Sequence, residues 1–459
     1  MKIEDIYTVN IEKMINGGNS FARINNIPVF IEEGCPDDIA KISLTKINKN
    51  YLSAKIIEII KPSVYRVKPE CPFHKICGSC GWQHIEYSEQ LKQKENIVKE
   101  TIKQIAGMDL NVEKTIPSPK IKEYRCKIQL PVSQTKNSKR ILTGYFKKNT
   151  HDLINIKHCI MHPAIINEIN EYIKKELQNI GISAYCEKTH KGLLRHIIYR
   201  VSSKLDEILV IFVINSNKII SDFYKLSEKI TEKYPVIKGV CINFNNKRTN
   251  VISGSITKSI KGDDFYTENL SGLKYKISAG SFFQVNPLCA QIIFNTVKEQ
   301  IQSRIEKPSI LDAYSGVSSF GIWMSDISSA TVCIEEVSSA SSDAAYNAEI
   351  NNKKNITIIN GDAADEFQKL LDKGFRFDVS VTDPPRKGCS NEALNYLIKL
   401  TKKYIIYVSC SVSTLARDLK ILTENNFIPK FVQPVDMFPN THHIETIVIF
   451  EKSGVEHFR

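Results

Sequence analysis

Ile310-Leu311-Asp312-Ala313-Tyr314-Ser315-Gly316 reads as an apolar strand that breaks into a turn and then enters a helix. A glycine directly after a strand lets the backbone come close to a ligand. Working outward, the same unit recurs. The segments 309–313, 331–335, 356–360, 377–382, 404–409 and 446–450 read as strands, most of them separated by helical stretches. Strands alternating with helices build a doubly wound, mostly parallel α/β domain. Ligands in such sheets bind at the carboxyl ends of the strands, so functional residues are expected there.

The second of these strands ends in Glu335, 19 residues past Gly316. An acid about 20 residues beyond the turn can accept both hydroxyls of a ribose, which suits a nucleoside cofactor. An ordinary βα turn has the same sequence, because Ser318 stands where a second close glycine could be. No GxxxxGK[ST] occurs, which disfavours a phosphate-gripping NTPase. After the third strand, Asp362 is placed to meet an adenine amino group. The fourth strand ends in Asp383-Pro384-Pro385-Arg386. The prolines make a rigid loop entry, since each fixes φ and removes a donor. The loop is similar to that of amino-group methyltransferases, but Arg386 replaces the aromatic ring those enzymes stack on the base.

The fifth strand, Tyr404-Ile405-Ile406-Tyr407-Val408-Ser409, delivers Cys410 to its end, with a helix expected from about 413 to 419. A helix N-terminus favours a thiolate. Packing as a small hydrophobe is the commoner fate of a lone cysteine. Carbon 5 of uracil asks for such a thiol. It is too poor a nucleophile to take a sulfonium methyl until a thiolate adds at carbon 6 and turns the ring into an enolate. A base must afterwards remove the carbon 5 proton. Glu445, opening the last strand, is the candidate.

Earlier in the chain, residues 1 to about 60 read as short strands of a small barrel, with Gly17-Gly18-Asn19-Ser20 as a tight turn. Ser88 is the expected N-cap of a helix ending near Gly107, with Leu91, Val98, Ile102 and Ile105 on one face. Cys71, Cys77 and Cys80 crowd three thiols into ten residues. Four thiolates hold either a [4Fe–4S] cluster or zinc, and spacing alone does not separate the metals. Cys35, Cys126, Cys186, Cys241, Cys289, Cys333 and Cys389 follow no pattern and are assigned to packing. Lys120, Lys122, Arg125, Lys127, Lys136, Lys139, Arg140, Lys147 and Lys148, with Tyr124 and Tyr145 among them, suit phosphate contacts and base stacking on unpaired RNA.

The bulk numbers agree with a multidomain enzyme that meets a polyanion. The 459 residues suffice for two to three domains, and 24% charged residues is ordinary globular composition. A net charge of +12 favours nucleic-acid partners. The longest apolar run, Ile208 to Ile214, is too short to span a bilayer, and no signal peptide opens the chain. A cytoplasmic location without membrane attachment is expected, with reduced, metal-bound or catalytic cysteines.

Together these segments resemble the RNA uracil-5-methyltransferase family, and its iron–sulfur branch acting on 23S rRNA. The resemblance rests on Ser281-Phe282-Phe283-Gln284-Val285-Asn286, Asp312 to Gly316, Thr382 to Gly388, Tyr407 to Cys410 with Thr414 to Leu419, and His443-Ile444-Glu445-Thr446. It implies S-adenosyl-L-methionine as cofactor, contacted with the target uracil by Gln284, Tyr314, Glu335 and Asp383. It implies Cys410 as nucleophile and Glu445 as base. It selects a [4Fe–4S] cluster on Cys71, Cys77 and Cys80, with Cys159 as fourth ligand. The implied architecture is multidomain α/β. An OB-like TRAM barrel (1–61) binds RNA, a central α+β iron–sulfur domain covers 62–278, and a Rossmann-like class I methyltransferase domain covers 279–459. The helix near 88–107 can pack on the catalytic domain. The expected substrate is 23S rRNA, with a tRNA uracil-5-methyltransferase or a non-catalytic RNA-binding relative as the alternatives, and the expected state a monomer. Ser411-Val412 in place of Asn-Pro, and Ser318 in place of glycine, depart from the family pattern.

Overall fold

The computed structural model describes residues 1–454. They gather into two compact units, each drawn from separate stretches of chain. One contains Met1–Ser118, Asp383–Leu394 and the stretch from Lys403 onward. The other contains Pro119–Thr382 and Asn395–Lys402.

In the first unit, the N-terminal segment forms a six-stranded sheet. Its strands are Ile6–Asn10, Lys13–Met14, Ser20–Ile24, Ile27–Glu32, Ile39–Ile47 and Leu52–Lys61. Their spatial order is first, fifth, sixth, fourth, third, second. Only the fourth and sixth run parallel. Alternating residues of these strands, among them Val29, Ile31, Ile42 and Ala54, fill a small apolar core. Helix Tyr87–Ala106 follows the cysteine-rich segment and ends where Gly107 takes a left-handed conformation at φ 73°. It starts one residue before Ser88, with Glu86 at the cap position and no side-chain cap. Ser88 therefore caps nothing, because the helix already includes it. Val98 and Ile102 are buried as expected, but Ile105 is exposed. The buried face is instead half polar, through Gln90, Gln93 and Lys94.

The same unit holds the C-terminal antiparallel strands. Glu445–Lys452 lies between Thr401–Ser409 and Phe427–Val435. The last of these was not expected from sequence. Pro429 and Pro434 argue against a strand, yet it sits at the sheet edge and shifts register between Pro429 and Phe431. Proline is tolerated at such positions because no ladder hydrogen bond is lost.

The second unit contains a seven-stranded sheet. Its order is Ile256–Gly262, Ile237–Phe244, Ile208–Ile214, Leu194–Val201, Lys127–Gln134, Ile141–Phe146 and Leu153–Asn155. Strand Ile208–Ile214 is buried along its whole length, as its continuous apolar run requires. Helices Ala164–Asn179 and Ser221–Lys233 supply apolar residues to the same core. This unit also holds four parallel strands in the order Ile356–Asn360, Ala330–Glu335, Ser309–Ala313, Phe377–Thr382. Those are the strands that alternation predicts, to within a residue.

Among the described residues, no helix is long and apolar enough to cross a membrane.

Candidate active site

Strand Thr401–Ser409 is buried from Tyr404 to Ser409 and delivers Cys410 half-buried at its carboxyl end. The chain turns at once, with the Ser411 N–H donating to Ser409 Oγ at 3.1 Å, and helix Val412–Glu424 begins. Strand Glu445–Lys452 pairs antiparallel with it, from Tyr404 opposite Glu451 to Ser409 opposite Thr446. Cys410 and Glu445 each lie one residue beyond the last pair of that register. Glu445 is 2% exposed, and its Oε1 is buried with no hydrogen-bond partner. A buried carboxyl oxygen left without a partner is costly, and such atoms cluster where a ligand group completes them.

Electrostatics bind these groups together. Burial, then the Asp383 carboxylate, hold the Glu445 carboxyl well above the usual range, with Arg386 opposing. Burial pushes the Cys410 thiol up to about 11, helped by Glu445 and Asp383 and again opposed by Arg386. The helix N-terminus was expected to favour the thiolate. Burial and the Glu445 and Asp383 carboxyls outweigh it. Alkylation of Cys410 by iodoacetamide should therefore climb about tenfold per pH unit from pH 7 toward 10, because only the thiolate reacts. A plateau near pH 8, read by mass spectrometry of the Cys410 peptide, would contradict this.

The loop after Asp383 is fixed from the helix that follows Cys410. Gly388 donates its N–H to the Pro385 carbonyl at 2.8 Å and has φ 75°. An added Cβ there would lie 2.5 Å from an Arg417 nitrogen and 2.7 Å from Asp418 Oδ2. Arg417 donates to the carbonyls of Lys387 and Cys389, at 3.2 and 3.1 Å. Fully buried Asp418 accepts the Cys389 N–H and the Tyr407 hydroxyl, at 3.1 and 2.6 Å. Sequence reasoning assigned Asp418 no role. Its position three residues past Leu415, on the apolar face of an amphipathic helix, was the available signal.

The residues expected around the cofactor lie in the second unit, apart from Asp383. Glu335 Oε2 accepts the Gly316 N–H at 2.9 Å, and Oε1 accepts the Val337 N–H at 2.8 Å. The carboxylate thus ties the first turn to the end of the second strand. Half-buried Tyr314 has φ 58°, Gly316 φ 56° and Ser318 φ 60°. Three left-handed residues at alternate positions fold the turn tightly. Ser318 takes that strain without glycine's freedom, at a cost of about 1–2 kcal/mol, and its Oγ is buried without a hydrogen bond. Ser318→Gly should raise stability by about 0.5–1 kcal/mol, after the added unfolded-state entropy of glycine, read as a higher urea midpoint. Asp362 is exposed, and its Oδ1 caps helix Ala363–Asp372 through the N–H groups of Ala364 and Asp365.

Gln284 sits in an irregular segment held from behind. Buried Cys126 donates its thiol to the Gln284 carbonyl at 3.2 Å, and its N–H to the Val285 carbonyl at 2.9 Å. Buried Arg200 donates to the Ser281 carbonyl, and Ser281 Oγ donates to Asp343. The Phe282 carbonyl would lie 3.7 Å from a Cβ on Gly316, so this segment borders the first turn. Cys126, read from sequence as packing, is an anchor of this segment.

The cysteine-rich segment is irregular and turn-bound, with the Cys77 N–H donating to the Phe73 carbonyl at 2.7 Å. Burial pushes the Cys71 thiol up, the Phe73 backbone opposes that, and Cys77 adds a smaller push in the same direction as burial. Cys159 lies in the other unit, its N–H bonded to Asn167 Oδ1 at 3.0 Å. Among the described residues, no three or more His, Cys, Asp or Glu side chains gather as a metal-holding group. Cys186 was assigned to packing but is exposed. Tyr124 is 4% exposed and offers no face for stacking, because it has turned into the core. Tyr145 is half-buried and bonds His162 Nε2 at 2.7 Å. Lys120, Lys136, Lys139, Arg140, Lys147 and Lys148 are exposed as a phosphate-binding surface requires.

A nucleoside-type turn after the first strand and a thiol at a strand end suit a methyltransferase. Comparison with known proteins agrees. A family model described as tRNA (Uracil-5-)-methyltransferase matches residues 86–453, and a TRAM domain model matches residues 3–57. The chain is 37% identical over 446 residues to an uncharacterized RNA methyltransferase of Oceanobacillus iheyensis, covering 96% of each. It is 33% identical over 454 residues to an uncharacterized RNA methyltransferase of Clostridium tetani, covering 99% of this chain and 98% of the other. Among solved structures, it is similar to the Pyrococcus abyssi tRNA (uracil-54, C5)-methyltransferase in complex with S-adenosyl-L-homocysteine. The TM-score is 0.75 and the identity 25%, over 97% of this chain and 100% of the other. The fold is that of an S-adenosylmethionine-dependent RNA methyltransferase. The chain belongs to the tRNA (uracil-5-)-methyltransferase family and carries an N-terminal TRAM domain.

Proposed function

We propose that the protein methylates carbon 5 of a uridine in 23S rRNA, with Cys410 as nucleophile and Glu445 as base. The observation that carries this reading is buried Glu445, its Oε1 without a hydrogen-bond partner, on the strand paired with the one that delivers Cys410. The Cys410 thiolate adds to carbon 6 of the uracil, and the ring becomes an enolate nucleophilic at carbon 5. S-adenosylmethionine supplies the methyl group as an electrophile. Glu445 then removes the carbon 5 proton, the carbon 5–carbon 6 double bond re-forms and the thiolate leaves. The Asp383–Ser390 loop, clipped by Arg417 and Asp418, holds Arg386 where it offsets the two carboxyls. Gln284, Tyr314, Glu335 and Asp362 are assigned to the cofactor and the target base, with Asp383. A target in a duplex must leave its stack, so an unpaired or flipped nucleotide is the substrate form.

The assigned domain limits are 1–61 for the RNA-binding TRAM module, 62–278 for the central domain and 279–459 for the catalytic domain. Residues 455–459 lie outside the described ones. Cys71, Cys77 and Cys80, with Cys159, are assigned to a [4Fe–4S] cluster. Their thiol chemistry suits iron. Methyl transfer needs no electron, so the cluster's task is to shape the segment for RNA. Protein purified without oxygen should contain about four iron and four sulfide per chain. Cys77→Ser should lose both, with lower yield or RNA affinity.

A tRNA uridine is the second reading, favoured by the similarity to an enzyme whose name specifies uracil-54 of tRNA. Mapping 5-methyluridine in 23S rRNA and tRNA from cells with and without the gene separates the two. Loss from 23S rRNA alone supports the proposal. Loss from tRNA alone overturns its substrate.

A further inference from the structure

The TRAM turn between strands Lys13–Met14 and Ser20–Ile24 carries two consecutive glycines in the left-handed region, Gly17 at φ 94° and Gly18 at φ 93°. Two such residues fold the turn flat and bring its backbone within reach of what lies beneath. Here that is the catalytic machinery of the same unit. Asn16 Nδ2 donates to Ser413 Oγ at 2.7 Å, three residues past Cys410 on the helix that follows it. Gly18 lies directly on His442, three residues before Glu445. A Cβ at position 18 would sit 2.7 Å from His442 Nδ1 and 2.9 Å from Cγ. The turn therefore spans the two segments that carry the thiol and the base.

Other N-terminal residues hold the same run. The indole N–H of Trp82, 1% exposed, donates to the Gly18 carbonyl at 3.1 Å, and the Trp82 backbone N–H donates to the Asn440 carbonyl at 3.0 Å. Gln90 Oε1 accepts the Asn440 N–H at 2.9 Å, and Lys94 donates to the Phe438 carbonyl at 3.2 Å. Gln93 Oε1 accepts the Met14 N–H at 2.9 Å, fixing the strand that enters the turn. The stretch Asp436–Ile444 is irregular and leads straight into Glu445. Its bracing comes from residues that precede position 120, the Ile116 carbonyl among them, which accepts the Asp436 N–H at 2.9 Å.

We propose that the TRAM turn Asn16–Asn19 is a positioning element of the catalytic centre, setting the Glu445 segment against the Cys410 helix, beyond any RNA contact the module makes. This rests on the assignment of Cys410 and Glu445 above. Asn16 and Gly17 are exposed.

The test separates binding from the two chemical stages in the full-length protein. Adduct formation on 5-fluorouridine RNA reads attack by Cys410 and methyl transfer. That adduct cannot lose a carbon 5 proton, so turnover on ordinary uridine RNA reads the additional step at Glu445. In Gly18→Ala the methyl group displaces His442. Saturated turnover should fall roughly 10- to 100-fold, as expected for an ångström-scale misplacement. RNA affinity and adduct formation should stay within about threefold of wild type, a spread too small to bear on the ~10-fold criterion. Adding His442→Ala to Gly18→Ala removes the clash but not the strain of alanine at φ 93°, and should recover part of the lost turnover. Asn16→Ala removes one exposed hydrogen bond and should slow turnover in the same step, which keeps the test open if Gly18→Ala folds poorly. Weaker RNA binding with unchanged saturated turnover in both variants would overturn the proposal, as would wild-type behaviour throughout. Absence of an adduct in the wild-type protein would instead overturn the assignment of Cys410.

Discussion

Cys410→Ala is expected to abolish methyl transfer while leaving S-adenosylmethionine binding at its wild-type affinity. The thiol lies at a strand end in one compact unit, and the residues of the nucleoside turn lie in the other. Removing one sulfur leaves Gly316, Tyr314 and Glu335 untouched. Without addition at carbon 6 the ring stays electron-poor at carbon 5, so no slower parallel route exists. Loss of a nucleophile of this kind costs about 10⁴-fold or more. Isothermal titration with the cofactor and incorporation of labelled methyl into unmodified RNA read the two halves. The variant should also form no covalent complex with 5-fluorouridine RNA. A residual rate within tenfold of wild type would remove Cys410 from the mechanism.

Glu445→Gln is expected to leave the enzyme joined to its RNA. The amide keeps the size of the carboxyl but takes no proton, so carbon 5 retains its hydrogen after methylation and the thioether cannot be expelled. Release should slow by about 10²–10⁴-fold, the usual worth of a positioned base. Attack itself should not suffer. The Glu445 carboxyl is one of the causes that hold the Cys410 thiol up at about 11, so its neutral replacement brings that value down. The expected result is a burst of adduct, stable on a denaturing gel with ordinary uridine RNA, followed by little turnover. Wild-type turnover would pass the role to another group, and Asp383 is the carboxylate that acts on both residues.

The parts of the fold carried by local pattern were legible. Strands such as Ile356–Asn360 and Phe377–Thr382 stand where alternation put them, because each is a short apolar run bounded by turn residues. The thiol at the end of the fifth strand was legible for the same reason. Strand Phe427–Val435 was not, because Pro429 and Pro434 argue against a strand, and only its edge position excuses them. The polar side of helix Tyr87–Ala106 was also hidden. Gln90 and Lys94 look like solvated residues until Lys94 is seen paired with Asp436 at 2.5 Å, both fully buried and 342 positions apart. The brace on the Glu445 segment depends on such distant pairs, and no spacing rule reaches across them. The raised value of the Cys410 thiol was hidden likewise, since it depends on Glu445 and Asp383 arriving from other segments.

The unit that holds Cys410 is assembled from segments far apart in the chain, Met1–Ser118 with residues 383–394 and the stretch from Lys403. During synthesis the first part leaves the ribosome long before the last part is made. The polar face of helix Tyr87–Ala106 must wait for Asp436 and Asn440 to be translated. Contacts of such sequence separation form slowly and leave early segments exposed to wrong partners. A nascent chain halted before residue 400 would then lack both the thiol and its brace. On the assignment of Cys410 and Glu445, the protein becomes competent as a catalyst only after residue 445 has been translated.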